Sequence, residues 1–453
     1  MEYFQYIIFS IPFVLAIVLP LFIAWGAARA ATGIGTGLGV ILVLYVYEVL
    51  VIAPPALHLG INFYPADLVF AALVALVFGR LFSQAPQIAG GLSAAWLLFG
   101  LLSMALFAVG VSRRGTAAGV EFRQIFYLWV AASYVLTFVA SSTVVADVMR
   151  SVLRAAFVMS IIAVLRWADQ LTGLTGAHWG TVVGANPWRV MDSDQAMFLL
   201  LAWLWLYLGW TRGELSLGGT TAMQALLVVL LLLQHRTVWI AGLAAVLLLV
   251  MIDRQARSAT FGRGMVTLGL MLTGLALVAA FGKLDEPLEA LGRSVGEATS
   301  GHGSTLSWRT QSWLELLGQW RSGGPVTWLV GKEYGAGWRR YLVDLRNVTN
   351  YSPHSFYVHT LLRGGVIGFS ALLLVYFGVM SRAFRARRAP GESGVAAGYV
   401  AASMLAVAIY SVTYDPDYGA GLVIGLGIVV AMRRRPVAMT RQARPAMWRE
   451  ART

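Results

Sequence analysis

Three side chains that could bind and deprotonate a substrate stand out from a chain that is otherwise mostly apolar. Arg236 interrupts a long apolar stretch, Arg309 follows Trp308, and His354 follows Pro353. Arginine can bind phosphate oxygens through two parallel hydrogen bonds, and a neutral histidine can accept a proton from a hydroxyl group. Because fixed charge in a membrane protein is costly and is commonly functional, this combination favours an enzyme that acts on a lipid-linked phosphate substrate.

The residues around His354 predict the start of a helix. Ser352 can cap a helix and Pro353 is favoured at its first position, which places His354 in the first turn of the apolar stretch 356–380. The positive end of that helix would keep the imidazole neutral at about pH 7, as a general base requires. A capping or interfacial histidine without a chemical role is the alternative interpretation.

The two arginines also have ordinary interpretations. Arg236 could reach lipid headgroups or hydrogen-bond to backbone carbonyls in a short loop, and Arg309 could lie on a solvated helix face. Arg189 belongs to a polar stretch, 186–194, that could shape an acceptor pocket, although a turn followed by a helix cap explains it equally well. Glu121 could pair with a nearby arginine at position 123. Three further residues are candidates for substrate contact: Arg123, His235 and Tyr357.

The six histidines do not indicate a metal site. No pair has the close helical spacing of a zinc motif, and no carboxylates stand beside them in a facial-triad pattern. The chain has no cysteine, which excludes disulfides and thiolate ligands. Dinucleotide-binding, phosphate-loop and nucleophile-elbow motifs are also missing from the sequence. We therefore expect neither a metal ion nor a cofactor.

The composition indicates an integral membrane protein. Of the 453 residues, 58% are hydrophobic and 12% are charged, whereas soluble domains have about 25% charged residues. Apolar stretches of about 20 residues recur along the chain, and they lack the alternation of a transmembrane β-barrel. The net charge of +13 is spread over the loops. This distribution favours contact with anionic membrane lipid and argues against nucleic acid.

The apolar pattern predicts an all-α, polytopic transmembrane helix bundle of about 12–13 spans. The polar residues Gln234 to Arg236 predict two helices, rather than one, within 217–252. Spans are expected near 4–25, 33–53, 66–82, 88–111, 123–141, 150–167, 194–211, 217–234, 237–252, 264–282, 356–380, 395–413 and 418–432. The chain then divides into transmembrane helices over 1–282, one long periplasmic loop containing short helices over 283–355, C-terminal transmembrane helices over 356–435 and a basic cytoplasmic tail over 436–453.

The arginines of the short loops predict a cytoplasmic C-terminus, which places the three principal candidates on the outer face. Arg113, Arg114 and Arg123 are exceptions, because they fall outside in a short loop, where they either contradict this topology or contact an anionic substrate. Within the long loop, the spacing of tryptophans and leucines predicts an amphipathic helix over about 305–320. Such a helix can lie at the membrane interface, with Arg309 directed toward the membrane surface.

Four short stretches occur in order around the long loop: LLLQHRTVW at 231–239, LSWRT at 306–310, YSPHSFY at 351–357 and LLRGGVIG at 361–368, with GANP at 184–187 as a weaker addition. They resemble the hallmark segments of the O-antigen ligase and Wzy-type polysaccharide polymerase superfamily. The resemblance covers roughly 160–370.

This resemblance implies a GT-C-like, metal-independent glycosyltransferase of the bacterial inner (cytoplasmic) membrane with its active site facing the periplasm. Its donor would be a glycan on undecaprenyl pyrophosphate, and its acceptor a glycan or a lipid. In that superfamily a loop histidine matching His354 is the proposed base, and arginines matching Arg236 and Arg309 bind the donor diphosphate. Relatives commonly follow the histidine with asparagine, where this chain has Ser355.

The resemblance favours a polymerase of exopolysaccharide or O-antigen over a ligase that transfers O-antigen onto lipid A-core. A protein O-oligosaccharyltransferase is a third alternative. A chain-length regulator or other proteins of the export system would be partners. A transporter or flippase for lipid-linked glycans is the alternative from another functional class, but it would need charges along a path through the membrane midplane. The candidate residues instead collect at one face.

Overall fold

The computed structural model describes residues 33–51, 56–58, 62–141, 143–173, 189–253, 256–261, 305–342, 347–389 and 392–433. Within these ranges the chain is overwhelmingly helical, with two short antiparallel hairpins as its only sheets. The predicted all-α class of a polytopic membrane protein is confirmed. The predicted spans near 4–25 and 264–282, and the tail 436–453, lie outside the described residues.

The remaining eleven predicted spans each coincide with a described helix. Five of the described helices are long and apolar enough to cross a membrane, and four shorter ones are also apolar. The helices before the long loop are α1 Ile34–Leu50, α2 Pro65–Ser83, α3 Ala85–Ile88, α4 Gly91–Arg114, α5 Thr116–Leu136, α6 Val144–Thr172, α7 Ser193–Thr211, α8 Leu217–Leu232 and α9 Arg236–Ile252. A hairpin of β1 Leu57–His58 and β2 Asn62–Phe63 precedes α2.

The helices of the long loop and the C-terminal region are α10 Thr305–Ser322, α11 Gly324–Val330, α12 Phe356–Ala386, α13 Glu392–Tyr410 and α14 Tyr418–Met432. A second hairpin, β3 Arg340–Leu342 with β4 Asn347–Thr349, lies between α11 and α12. The predicted loop helix is confirmed as α10. Short helices therefore do occur between the two sets of long apolar helices, as the sequence predicts.

Two helices, not one, form the apolar region 217–252, as predicted. The break is at Gln234, a non-glycine residue with a left-handed φ of 55°. Gln234 and His235 are buried, so the polar backbone and side chains of this break are enclosed by protein. Because hydrocarbon offers no hydrogen bonds, a non-helical turn in a membrane-spanning region needs such enclosure.

Glycines allow close approach where α14 packs on α5. Gly421 and Gly425 of α14 lie so close to the carbonyls of Leu128 and Ala132 that neither position has room for a Cβ atom. Small residues at a helix–helix contact increase the van der Waals contact between two backbones. In a membrane this packing is a main source of stability, because lipid is as apolar as the helix surface and the hydrophobic effect does not drive helices together. This contact fixes α14, and with it the connection that precedes α14.

The segment 305–342 is held on α12 by a cluster that only partly matches the predicted apolar face of α10, which consists of Leu306, Trp313, Leu317 and Trp320. Leu316 is the buried apolar residue of that helix, and it packs on Trp338 and Leu362 with Trp320 beside it. Of the predicted face, Trp313 is half-buried and contributes a hydrogen bond instead. The tryptophans of α10 thus contact protein, and the interfacial position of this helix stays a prediction.

The stretch LLRGGVIG accounts for the way this segment attaches to α12. Gly365 has a φ of 58° and kinks α12, and its missing side chain admits the backbone of α11 at Leu329. Gly331, at the end of α11, lies equally close to the Arg363 backbone. The Lys332 amide then donates to the Leu362 carbonyl at 2.8 Å. A side chain at either glycine would separate the loop from the helix that follows His354.

Candidate functional site

The candidate residues meet around the short link between α13 and α14, residues 411–417, here called the 411–417 connection. Arg309 is directed at it: Nη1 donates to the Thr413 carbonyl and Nη2 to the Tyr414 hydroxyl, both at 3.4 Å. The guanidinium also lies 4.9 Å from the centre of the Tyr414 ring, a cation–π distance. The expectation that Arg309 points toward the membrane surface stays a prediction, since these contacts define its position only relative to protein groups. Because α10 packs on α12, the arginine faces protein.

The start of α9 reaches the same connection. The Thr237 hydroxyl lies 2.9 Å from the Thr413 hydroxyl, and Thr413 is the residue whose carbonyl accepts from Arg309. Arg236, half-buried, precedes Thr237 as the first residue of α9. Two threonines, Thr237 and Thr413, therefore connect the segments of the two predicted diphosphate-binding arginines, although these are far apart in sequence.

His354 lies just outside α12, not in its first turn. The helix begins at Phe356, with Ser355 as its N-cap; the Ser355 hydroxyl accepts from the Val358 amide at 3.5 Å. His354 has a left-handed φ of 49°. The predicted cap at Ser352, with Pro353 at the first helical position, is thus wrong. A serine hydroxyl closer to the apolar stretch supplies the cap, which leaves the histidine in a turn.

Contacts from α10 hold this turn in place. The indole of Trp313 donates to the Pro353 carbonyl at 2.7 Å. The Trp308 ring meets the His354 ring edge-on, with 6.0 Å between centres. At the far side, the Phe356 amide donates to the Ser411 carbonyl at 2.9 Å. His354 therefore lies between α10 and the 411–417 connection, next to the residue that precedes Arg309.

The charges around His354 favour its neutral form. Burial lowers the pKa of His354, and the positive charges of Arg309 and Arg340 lower it further, while the nearby carboxylate of Asp415 opposes them. The imidazole is consequently unprotonated at neutral pH, which is the state a general base needs. Burial and two guanidinium groups are the causes, instead of the helix N-terminus inferred from the sequence.

Asp415 joins the connection to α12 and α5. Its Oδ2 accepts from the Ser352 hydroxyl at 3.4 Å and lies 2.8 Å from Nδ1 of His359. Its backbone carbonyl accepts from the Gln124 side chain at 2.9 Å. His359 is buried and meets the Trp338 ring edge-on, with 4.8 Å between centres. The carboxylate thus connects the turn that contains His354 and the first turns of α12 to the 411–417 connection.

Two of the weaker candidates, Arg189 and His235, lie together at the break before α9. Nη2 of Arg189 donates to the Gln234 carbonyl at 3.4 Å, and Nε2 of His235 lies 2.9 Å from the Met191 carbonyl. Burial lowers the pKa of His235 to about 4, so this histidine is neutral and structural in character. These contacts fix the start of α9. Residues 186–188 of the same polar stretch lie outside the described residues.

Arg123 contacts a different part of the protein. Its Nε lies 2.9 Å from Oδ1 of Asp67, and its Nη2 donates to the Asn62 carbonyl at 2.7 Å. The alternative pairing of Arg123 with Glu121 is also wrong, because Glu121 pairs with Arg363 at 2.6 Å. These charge pairs connect the helix ends around α5, and the described contacts of Arg123 do not include His354 or Arg309.

Tyr357, the last candidate, donates from its hydroxyl to the Ala408 carbonyl at 2.8 Å, which ties α12 to α13.

Arg113 and Arg114, at the end of α4, were exceptions to the predicted topology. Both contact Glu333, at 3.2 Å from Arg114 and 3.9 Å from Arg113. They therefore lie beside the long loop and pair with a protein carboxylate.

Among the described residues, no group of three or more histidine, aspartate or glutamate side chains could hold a metal ion.

Residues 221–373 match the family model described as O-Antigen ligase. The resemblance of this region to the O-antigen ligase family is thereby confirmed. The match includes the break before α9, helices α10 and α11, the turn with His354 and the glycine stretch of α12. No curated protein matches the chain. Together with the apolar helices, the match supports a multi-pass membrane protein with a ligase-type or polymerase-type role in polysaccharide biosynthesis.

Three residues around His354 escaped the sequence analysis: Asp415, His359 and Arg340. Asp415 lies beyond the O-antigen ligase match, in the stretch Tyr-Asp-Pro-Asp-Tyr at 414–418. Two aspartates between two apolar stretches are a signal that could have indicated it, because charge at such a position is costly. His359 and Arg340 gave no comparable signal, since neither has a spacing or neighbour that distinguishes it from an ordinary polar residue.

Proposed function

We propose that the protein is an inverting, metal-independent glycosyltransferase that moves a glycan from undecaprenyl pyrophosphate to an acceptor hydroxyl at the periplasmic face of the inner membrane. We favour a polymerase of exopolysaccharide or O-antigen. The observation that carries the proposal is that a neutral, half-buried His354 lies close to Arg309, which contacts the 411–417 connection. Both residues belong to the region that matches O-antigen ligase. A proton acceptor beside a cation is what such a transfer needs.

In the proposed reaction, the donor diphosphate binds to Arg309 and Arg236, and the acceptor hydroxyl approaches His354. The imidazole removes the hydroxyl proton as the oxygen forms a bond to the anomeric carbon. The bond from that carbon to the diphosphate oxygen breaks, and undecaprenyl pyrophosphate leaves with the electron pair. Fixed cations at the position where negative charge develops stabilise the transition state without a metal ion. Attack from the face opposite the leaving group inverts the anomeric centre.

Turnover by purified protein tests this proposal. The protein is incubated with an undecaprenyl-pyrophosphate-linked oligosaccharide, with and without a chelator, and the products are resolved by length and by linkage. We expect a ladder of polymers, inverted linkages and no effect of the chelator. Retained linkages would contradict the single displacement, and loss of turnover with chelator would contradict the metal-independent mechanism.

A ligase is the second candidate, because the matching family is described as O-Antigen ligase. The two functions differ in the acceptor. A ligase would form a single product with lipid A-core and no ladder when only the lipid-linked oligosaccharide is supplied. A flippase would move the donor across vesicle membranes without forming any glycosidic bond, and its transport would not depend on His354.

A further inference from the structure

Arg340 is a buried cation whose hydrogen-bonding capacity is only partly used. The residue begins β3 and is 2% exposed. Its Nη1 donates to the Trp338 carbonyl at 2.8 Å and to the Tyr351 carbonyl at 2.7 Å. Its Nε and Nη2 are enclosed and have no hydrogen-bond partner. Guanidinium stays protonated in proteins, so two donors of a full positive charge are buried without an acceptor.

This arrangement differs from that of Arg363, another enclosed arginine, which pairs with Glu121 at 2.6 Å. Arg340 forms no ion pair with any carboxylate in the described part of the chain, and burial alone lowers its pKa. An unpaired buried charge is strongly unfavourable. A protein retains one where an anion completes the site, as in substrate and ion sites.

The position of Arg340 connects it with the proposed base. Tyr351, whose carbonyl it holds, precedes His354 by three residues. The positive charges of Arg340 and Arg309 both act on the His354 imidazole. Two guanidinium groups on different elements, one from α10 and one from β3, therefore act on the same turn.

We propose that Arg340 is a third cation of the donor site: its unpartnered Nε and Nη2 bind an oxygen of the lipid-linked diphosphate, while Nη1 fixes the turn that carries His354. The proposal rests on the proposed function and extends it by one residue. If Arg340 were purely structural, Nη1 alone would do its work, because this one nitrogen satisfies both carbonyl acceptors. Such a role gives no reason to bury the charged Nε and Nη2. The planar guanidinium leaves a second edge for a bidentate contact with phosphate.

The test compares Arg340→Gln and Arg340→Lys with Arg339→Gln, a matched control on the adjacent residue, whose side chain is exposed. The probes are undecaprenyl pyrophosphate and undecaprenyl monophosphate, both without glycan, and the measurement is the Kd of full-length protein in lipid nanodiscs. For Arg340→Gln we expect about tenfold weaker binding of the diphosphate, because charge-assisted hydrogen bonds are lost. The monophosphate should change much less, and Arg339→Gln should match the wild type.

The two lipids distinguish this proposal from the proposed function. If the wild type shows no preference for the diphosphate, the proposed donor site itself fails. If the wild type prefers the diphosphate and Arg340→Gln keeps that preference in full, only the role of Arg340 is overturned. An equal loss for both lipids with a lower melting temperature would assign Arg340 a structural role. Arg340→Lys retains the charge, so it keeps the test valid if the glutamine variant does not fold, and it should show an intermediate loss.

A carboxylate on the glycan is the other anion that Arg340 could bind. The glycan-free probes separate the two sources, because a carboxylate-binding Arg340 would leave the affinity for undecaprenyl pyrophosphate unchanged. In that event Arg340→Gln would impair turnover only with donors that contain a uronic acid, and the assignment to the diphosphate would be wrong.

Discussion

Nδ1 of His359 and Oδ2 of Asp415 lie 2.8 Å apart in a pair that is almost fully enclosed, with side-chain exposures of 3% and 7%. The pair joins the first turns of α12 to the 411–417 connection, and the same carboxylate oxygen accepts from Ser352. Because Ser352 and His359 lie on either side of His354 in sequence, one carboxylate fixes both ends of the turn that presents the proposed base.

Replacement of Asp415 by alanine should therefore impair the position of His354. We expect turnover to fall about tenfold or more, since small displacements of a catalytic group are costly, with a smaller effect on the Kd for undecaprenyl pyrophosphate. Ser352→Ala removes only the longer contact of 3.4 Å and serves as the control. Turnover of Asp415→Ala equal to that of the wild type would contradict this positioning role.

Replacement of His354 by alanine should slow the chemical step strongly and spare donor binding. Loss of a general base reduces rates about 10²- to 10⁴-fold. The measurements are glycan transfer and the Kd for undecaprenyl pyrophosphate, and the second should remain near the wild-type value. Full transfer activity in this variant would remove His354 from the mechanism.

The pH profile should report the lowered pKa of His354. Because the base must be neutral, kcat/KM should be constant at neutral pH and fall as the pH drops through the pKa of His354, which is below its usual value of about 6.5. Arg309→Gln removes a charge that lowers this pKa, so the acidic limb should move to higher pH. Asp415→Asn removes a charge that raises it, so the limb should move to lower pH. Shifts of the opposite sign would disprove the electrostatic assignment.

Arg309 should contribute a bidentate contact, and lysine should replace it only in part. We expect donor affinity to fall in the order wild type, Arg309→Lys, Arg309→Ala, because lysine keeps the charge and loses the planar geometry. Arg321→Ala changes an exposed arginine of the same helix, α10, and is the matched control. Equal affinities for all four proteins would exclude Arg309 from donor binding.

The glycine pair of α12 allows a matched test of how the long loop is attached. Gly365→Ala puts a side chain at a φ of 58° against the backbone of Leu329, whereas the nearest atom to a Cβ at Gly364 is 3.9 Å away. We expect Gly365→Ala to destabilise the protein by about 2–4 kcal/mol, from left-handed strain and overpacking. Gly364→Ala should have little effect. Melting temperatures in detergent measure both, and equal values would show that α11 does not constrain Gly365.

The sequence was sufficient to predict most of the helices. Apolar stretches of membrane length require intrachain hydrogen bonding, so composition and length alone give the helices that the structure describes. The polar break at Gln234 and the loop helix α10 followed from the same reasoning. The motifs around Arg236, Arg309 and His354 also pointed to the family, because residue types and their order along the chain can be recognised without knowing any distance in the structure.

The tertiary structure decided which polar groups meet. Sequence spacing says nothing about which helix end lies beside which, so the 411–417 connection, the pair of His359 with Asp415 and the enclosed Arg340 emerged only from packing. Local competition decided the rest: Ser355 caps α12 in place of Ser352, and the packing of α10 on Trp338 and Leu362 turns Arg309 toward Thr413. The spacing of apolar residues predicts which face of a helix is buried. The groups that a polar side chain contacts depend on which neighbouring element packs on that face.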